Sequence, residues 1–316
     1  MSRILVAGEL NADLILSGLP SLPVIGRELI GSGFAMALGS SSAITAARMA
    51  ALGADDPEYA VDFVGLIGDD DIGRFVLDQL HHFGVHTDAV QVVGTPTGVT
   101  IALTYARDRA LLTYPGTIAV FDGQGITQEQ LRRYTHLHVG SFFLQNALQP
   151  QLAAIFRMAR EAGLTTSLDV GWDPAERWMG NPHLAPALAH TSDFLPNEDE
   201  TAALAATPEA LKQLVGGTLV VKRGAQGASA YTDSGGASTE TRVPAFPVTP
   251  VDTTGAGDAF NAGYIYALHI RGESMTSALR FAAACGAQAT QHVGGATAAP
   301  SEYMIHELIT EWERQI

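Results

Sequence analysis

The chain reads as an α/β protein: a doubly wound, mainly parallel central sheet with helices on both faces and a small β lid. Two observations predict the main body. Short apolar runs bounded by turn residues alternate with helix-period segments for most of the length. A Gly-rich turn, "GAGD" at 255–258, then opens a long apolar run late in the chain. The lid is predicted by a third: stretches 9–34 and 97–114 break the rhythm with short apolar alternations. At 316 residues the chain fits one large domain spanning 1–316.

The elements follow in order. "ILVAG" (4–8) is a short buried strand ending on a turn glycine. Residues 9–34, rich in Gly and Pro, belong to the lid. "SSSAITAARMAALG" (40–53) is a helix, with serines at its N-terminus and Gly53 as its stop. "VDFVGLIG" (61–68) is a strand and "DIGRFVLDQLHHFG" (71–84) a helix. "TGVTIALTYARDRALLTY" (97–114) alternates like two antiparallel strands, with Arg107 and Arg109 read as solvated charges at their turn. "THLHVG" (135–140), "LTTSLDV" (164–170), "DFLPN" (193–197) and "TLVVKRG" (218–224) are further strands, and a helix follows Pro150. His136 and His138 share one side of their strand but lack a third ligand at suitable spacing, so they read as ordinary strand histidines. "TDSGGASTETR" (232–242) reads as a polar surface loop.

Composition excludes several classes. With 33 acidic against 18 basic residues the formal charge is −15, which disfavours a nucleic-acid partner. A small phosphate ligand stays compatible, because backbone amides can hold one on an acidic protein. Cys285 is the only cysteine, which rules out an intrachain disulfide and favours a reducing, cytoplasmic setting. No segment is long and apolar enough to span a bilayer, so no membrane association is expected.

The strongest local signal is "VDTTGAGDAF" (251–260). Gly255 and Gly257 let the backbone turn its N–H groups toward one point, and a helix starting near Asp258 adds its positive end. An anion hole results, with a carboxylate beside it where a base for a hydroxyl nucleophile belongs. Taken alone, Asp258 fits a helix N-cap equally well. The helix behind it is apolar nearly all round and therefore buried, which favours function. Neither a GxxxxGK[ST] loop nor a GxGxxG after the first strand is present, so the common nucleotide motifs are excluded.

"VDTTGAGDAFNAG" (251–263) resembles the C-terminal signature of the ribokinase (PfkB-type) family of carbohydrate kinases. The likeness runs through the chain in family order: "GELNADLIL" (8–16), "LGSSSAITAARMAALG" (38–53), "GLIGDDDIG" (65–73), "PNEDE" (196–200) and "VVKRGAQGA" (220–228). It implies a ribokinase-like fold and transfer of the γ-phosphoryl group of ATP to a sugar hydroxyl. By the same resemblance Asp258 matches the general base, and Gly255, Ala256 and Gly257 the anion hole. Asn11, Asp13, Gly39 and Ser40 match sugar-binding positions. Lys222, Gly224, Gly227 and Asn197 match the nucleotide region. Asn197 and Glu200 match the element that organises Mg2+ through water, and Asp252 and Thr254 match positions that hold a monovalent cation, K+, in some members. The lids of this family often pair into a homodimer.

Departures from the family pattern bear on the acceptor. Gly39-Ser40 stands where Gly-Gly is usual, and Ile44 where a sugar-binding Asn is usual. Loss of that polar contact should change discrimination among sugars. "RFAAACGAQAT" (280–290) offers small residues near the expected adenine, which should be held mainly by packing and backbone. A nucleoside kinase of the same fold is the alternative, with Ile44, Phe142 and Phe143 as apolar contacts for a base. A sugar-binding regulator without catalysis is the remote one, since mere binding needs no base.

Overall fold

The computed structural model describes residues 2–105, 109–234, 237–292, 294–297 and 299–314. Among these, nine strands form the main sheet. In spatial order they are β13 (Ala237–Val243), β12 (Ala228–Ser234), β11 (Thr218–Lys222), β10 (Asp193–Phe194), β9 (Thr165–Leu168), β8 (His136–Val139), β1 (Ser2–Ala7), β4 (Tyr59–Gly68) and β5 (His86–Val93). Neighbours from β11 to β5 pair in parallel, while β12 and β13 add an antiparallel edge. The strand alternation of β1 shows why both faces are covered: Ile4 and Val6 enter one core, Leu5 and Ala7 the other.

Ten helices supply the two cores. The first core takes α1 (Ser41–Leu52), α2 (Asp71–His82), α8 (Ala256–Ile265), α9 (Met275–Ala289) and α10 (Glu302–Glu313). The second takes α3 (Gln128–Leu131), α4 (Gln149–Glu161), α5 (Leu184–Leu188), α6 (Glu198–Leu204) and α7 (Pro208–Lys212). A separate four-stranded sheet, ordered β3 (Gly33–Leu38), β2 (Asn11–Ser17), β6 (Gly98–Thr104) and β7 (Arg109–Tyr114), stands apart from the main one. Strands β2, β6 and β7 fall within the stretches 9–34 and 97–114 that break the βα rhythm, whereas β3 starts at the end of the first and continues to Leu38, beyond the bound read from the sequence.

One reading of the sequence needs correction. Residues 232–242 are not a surface loop: they lie in the β12–β13 hairpin, apart from positions 235–236, which lie outside the described residues. Ala228 and Ala230 are buried, but toward the hairpin's tip the sequence is Thr, Asp, Ser and Glu, as an edge strand allows. Periodicity could not tell such a strand from a loop.

The face of the sheet beneath α8 is unusually polar. His136 pairs in register with Thr165, and His138 with Ser167. His136 Nδ1 and Nε2 reach Thr165 Oγ1 at 2.7 Å and Ser167 Oγ at 2.8 Å, and His138 Nδ1 reaches the same serine at 2.7 Å. Both histidines therefore have structural partners, and burial pushes His138 down to about 4. His136 stacks on His269 with ring centroids 4.9 Å apart. His269 Nε2 in turn meets Asp193 Oδ2 at 2.7 Å, and Tyr264 of α8 donates to Asp193 Oδ1 at 2.8 Å. The tyrosine bond ties α8 to the short central strand β10. Tyr264→Phe leaves a buried carboxylate oxygen unpaired, so it should destabilise the protein by about 1–3 kcal/mol. Urea unfolding measures this, and an unchanged midpoint would show that the bond does not anchor the helix.

Candidate active site

The site is built around the N-terminus of α8. Gly255 precedes it with φ +74°, and a Cβ there would lie 2.4 Å from the Cα of Gly295. No residue but glycine fits that turn. Asp258, in the first turn, does not cap the helix: its Oδ1 accepts the Ser41 hydroxyl of α1 at 2.6 Å. The capping alternative thus fails on geometry. Thr45 Oγ1, one turn along α1, reaches the carbonyl of Asp258 at 3.4 Å. Arg48, the next residue on that face, donates from Nε and Nη2 to the carbonyl of Gly295 at 3.0 and 2.7 Å. Positions i, i+4 and i+7 of one helix therefore hold the turn and the carboxylate from behind.

Burial pushes the Asp258 carboxyl up to about 7, and the charge of Asp169 adds to the effect. Asp169 immediately follows strand β9 and is compensated. Its Oδ2 accepts Lys222 Nζ at 2.6 Å and Asn261 Nδ2 at 2.6 Å, and Lys222 also reaches Asn261 Oδ1 at 3.2 Å. Burial alone would lower the Lys222 ammonium, but Asp169 and Glu200 hold it above its usual value. Asn261 lies one helical turn after Asp258, so the same helix presents both groups. A Cβ on Gly257 would stand 3.5 Å from Lys222 Nζ, which places the ammonium against the anion hole.

Two cavities meet here. One, of about 370 Å³, is an apolar slot walled by Phe246, Val248, Phe260, Ala283 and Ala287. The other, of about 980 Å³, contains Asp258, Gly255, Asn197, Glu200, Arg109 and Trp172 in its wall. Lys222, Gly224, Thr253 and Gly257 line both and mark the passage between them. Asn197, Trp172, Lys222 and Gly224 lie at or beyond the C-terminal ends of main-sheet strands, and Gly255, Gly257 and Asp258 at the start of α8, where open α/β sheets place their sites; Arg109 opens β7 of the small sheet, and Ala283 and Ala287 come from α9.

The remaining positions singled out in the sequence fall into place unequally. Ala256 lines the smaller cavity. Gly227, with φ +89°, passes so close to the Val243 carbonyl that a Cβ would meet it at 2.0 Å; its role is to let β11 turn into β12. Asn197 and Glu200 form a capping box at the start of α6: Asn197 Oδ1 accepts the Glu200 N–H and Glu200 Oε2 accepts the Asn197 N–H, both at 2.8 Å. Glu200 is pushed up to about 7 by burial and by Asp169.

Asn11, Asp13 and Gly39 form a second cluster. Asn11 Nδ2 donates to Thr100 Oγ1 at 2.9 Å and Asp13 Oδ1 at 3.2 Å, and Gly39 packs against both side chains. Burial raises Asp13 to about 6. Ser40 caps α1, accepting the Ala43 N–H at 3.0 Å while donating to the Glu9 carbonyl at 2.5 Å. Its hydroxyl is occupied structurally. Ile44 is buried in the core against Gly295, supporting the anion-hole turn from behind.

Arg109 corrects the view of that side chain as a solvated charge. It lies within β7, donates to Thr254 Oγ1, and stands 3.9 Å from Asp252 Oδ1. Arg107 lies outside the described residues. The sequence reading also missed Ser41, Asp169, Asn261 and the buried Glu9, which accepts Ser42 Oγ at 2.6 Å. Only the polar period 41, 45, 48 in an alanine-rich helix offered a signal for the first of these.

With this geometry in view, comparisons with known proteins agree. Residues 3–302 match the family described as pfkB family carbohydrate kinase. An ATP-dependent ribose-1-phosphate kinase of Halopiger xanaduensis is 32% identical over 98% of this chain and 99% of that protein. The Arabidopsis thaliana ribokinase complexed with ribose and ATP superposes with a TM-score of 0.80 at 25% identity, covering 98% of this chain and 99% of its own. An Escherichia coli chain described as a ribokinase II, in complex with ATP and Mg2+, gives 0.84 at 24% identity over 98% and 100%.

The raised carboxyl has a cost in stability. Asp258 moves from an ordinary 3.8 to about 7 on folding, so between those values the unfolded chain has lost a proton that the native site still holds. The ligand-free protein should therefore lose stability as pH rises through that window. Asp258→Asn removes the loss: at pH 8 it should be more stable than the parent by roughly 1–4 kcal/mol, with the gap closing toward pH 4. Urea unfolding across pH tests this; a gap independent of pH would show that the carboxyl is not held protonated.

Proposed function

The chain belongs to the pfkB family of carbohydrate kinases, and from that premise we propose how its residues perform ATP-dependent phosphoryl transfer. The observation that carries the reading is the position of Asp258: partly buried, held by Ser41, and beside the passage between two cavities. The smaller, apolar cavity suits an adenine, held by packing among small residues such as Ala283, Gly286 and Ala287. A donor seated there extends its phosphates through the passage, past Lys222 and the amides of Gly255, Ala256 and Gly257. The acceptor occupies the larger cavity, where Asp258 takes the proton of the attacking hydroxyl. Transfer of this kind depends on alignment and charge neutralisation more than on covalent chemistry, and a water-shielded helix end supplies both.

Magnesium fits the donor set in one way. Asn197 Oδ1 and Glu200 Oε2 are committed to the capping box, which leaves the other Glu200 oxygen to hold the ion through water. When bound, the ion would neutralise charge on the donor phosphates. A monovalent cation at Asp252 and Thr254 would share those oxygens with Arg109.

The acceptor is read as a small carbohydrate; Asn11 and Asp13, beside Gly39, form a cluster outside the lining of the larger cavity and would have to reach the acceptor from the small sheet. Because the Halopiger relative is a ribose-1-phosphate kinase, phosphorylated pentoses belong among the candidates. Trp172 and Phe143 in the wall of the larger cavity favour a second reading, a nucleoside whose base stacks there. A non-catalytic regulator has no use for a partly buried carboxyl tuned to about 7.

Phe34, Met36, Leu111, Leu112 and Tyr114 expose apolar surface on the small sheet, which supports a homodimer through it. No helix among the described residues is long and apolar enough to cross a membrane. A cytoplasmic setting suits the single cysteine, Cys285, which is buried and reduced.

Three measurements test these assignments. Asp258→Asn should lower turnover by roughly 10²–10⁴-fold while folding is retained; near-parental activity would remove Asp258 as the base. ADP release across free sugars, sugar phosphates and nucleosides should select the carbohydrate class, and selection of nucleosides alone would favour the second reading. Light scattering should give about twice the 33.2 kDa chain mass; a monomer that persists at high concentration would refute pairing through the small sheet.

A further inference from the structure

Arg109 joins the small sheet to the turn that leads into the anion hole. Its Nη1 donates to Thr254 Oγ1 and lies 3.9 Å from Asp252 Oδ1. That same carboxylate oxygen accepts the Thr254 N–H at 2.9 Å and the Thr254 hydroxyl at 2.7 Å. Its partner oxygen accepts the Gly294 N–H at 2.9 Å. One chain of contacts therefore runs from β7 through Thr254 and Asp252 to Gly294. Thr254 immediately precedes Gly255, and Gly255 packs on Gly295, so the chain closes around the turn that supplies the amides.

The charges matter as much as the contacts. Asp252 is a carboxylate held in place by the Gly294 and Thr254 N–H groups and the Thr254 hydroxyl, close to a site that must attract phosphate. A fixed negative charge there repels an incoming anion unless a cation offsets it. Arg109 is that cation. A guanidinium suits the task because it is always charged, and its Nη1 faces both the Thr254 hydroxyl and the Asp252 carboxylate. The side chain is 32% exposed and also lines the larger cavity, so the group that offsets Asp252 comes from the sheet that borders the acceptor.

We infer that Arg109 is a positioning residue for phosphoryl transfer: through Thr254 and Asp252 it couples the placement of the small sheet to the order and charge of the anion hole. The inference rests on the reading of residues 255–257 as that hole. It makes the sheet more than a cover. The Thr254 hydroxyl is bonded to Asp252 within the turn; seating β7 adds the Arg109 donor to that hydroxyl and a positive charge beside the carboxylate, so donor activation is tied to enclosure of the acceptor.

The test uses the full chain, with ADP release measured on D-ribose and on ribose 1-phosphate. Arg109→Ala should lower kcat by about 10–100-fold, with acceptor KM changing by less than about threefold. Millimolar guanidinium ion should restore part of that rate in the variant and none in the parent. Thr254→Val cuts the same chain, so the double variant should lose little more than either single one. Arg109→Lys keeps charge without the guanidinium and should fall between; melting curves confirm that each variant folds. Parental kcat in Arg109→Ala overturns the inference. So does a loss confined to acceptor KM, which would make Arg109 an acceptor ligand, and so do fully additive losses. Should the parent release no ADP with either acceptor, the functional assignment is what fails. Calorimetry with AMP-PNP and Mg2+ then decides separately: the variant should bind several-fold more weakly and recover with guanidinium, and unchanged binding overturns the inference.

Discussion

The hydrogen bond from Ser41 to Asp258 joins α1 to α8, and much of the molecule is arranged so that it can form. A carboxylate and a hydroxyl 2.6 Å apart need their helices in close contact. Small residues make that approach possible. Ala262, one turn after Asp258 on α8, is buried on the side that meets Ser41 and Thr45, while Ala43, Ala46, Ala47 and Ala50 are buried on the opposite side of α1. Gly263 sits so near α9 that a Cβ would meet Cys285 Sγ at 2.7 Å. Larger side chains at such places would push the helices apart by more than the tolerance of a hydrogen bond.

Excluding water from that junction has an electrostatic consequence. Glu9, Asp169 and Glu200 are buried and Asp258 is partly buried within the same region, beside one partly buried ammonium, Lys222, which meets Asp169 at 2.6 Å. One carboxylate can be matched by one lysine, and the geometry shows which: Asp169 is held ionised while Glu9, Glu200 and Asp258 are driven toward their protonated forms. A site with this imbalance gains most from a ligand that brings its own cation. Asp258, the proposed base, is pushed up to about 7 by the same burial, where both proton acceptance and release are accessible. The destabilising burial of acids and the proposed catalytic competence have the same physical source.

Sequence patterns made the parallel sheet and its two helical layers legible, because each rests on local periodicity and turn chemistry. The segment 255–258 was legible too, since a glycine with positive φ leaves a direct trace in composition. What stayed hidden depended on distant partners. Asp169 immediately follows a strand and meets Lys222 and Asn261, 53 and 92 residues away in the chain. Nothing in "LTTSLDV" announces that meeting. Arg109 sits in a polar hairpin whose composition resembles any solvated turn, yet its partners lie 145 residues on. The β12–β13 hairpin was misread for the opposite reason: its strands need little apolar content at an edge, so their alternation is weak. Ser40 shows a third cause, a site-like position whose hydroxyl is consumed by its own helix.

Backbone strain marks how the larger cavity keeps its shape. Ser40, Ser141, Glu176 and Trp178 are the non-glycine residues with positive φ among those described. Ser40 opens α1 just before Ser41, Ser141 lines the larger cavity, and Glu176 and Trp178 belong to the loop that carries Trp172 to it. Such conformations cost on the order of 1–3 kcal/mol each and persist only where neighbours over-determine them. Here the neighbours are identifiable. Asp173, buried, accepts N–H groups from Ala175, Arg177 and Trp178 at 2.7 to 2.9 Å, and Trp172 meets Trp178 edge to face at 4.9 Å. The wall opposite the small sheet is therefore fixed by hydrogen bonds made within the loop itself. Arg109 approaches from the other side on a separate sheet. A fixed wall and a separately carried cation divide the work: the first sets which acceptor fits, and the second sets whether the anion hole is in order when it does.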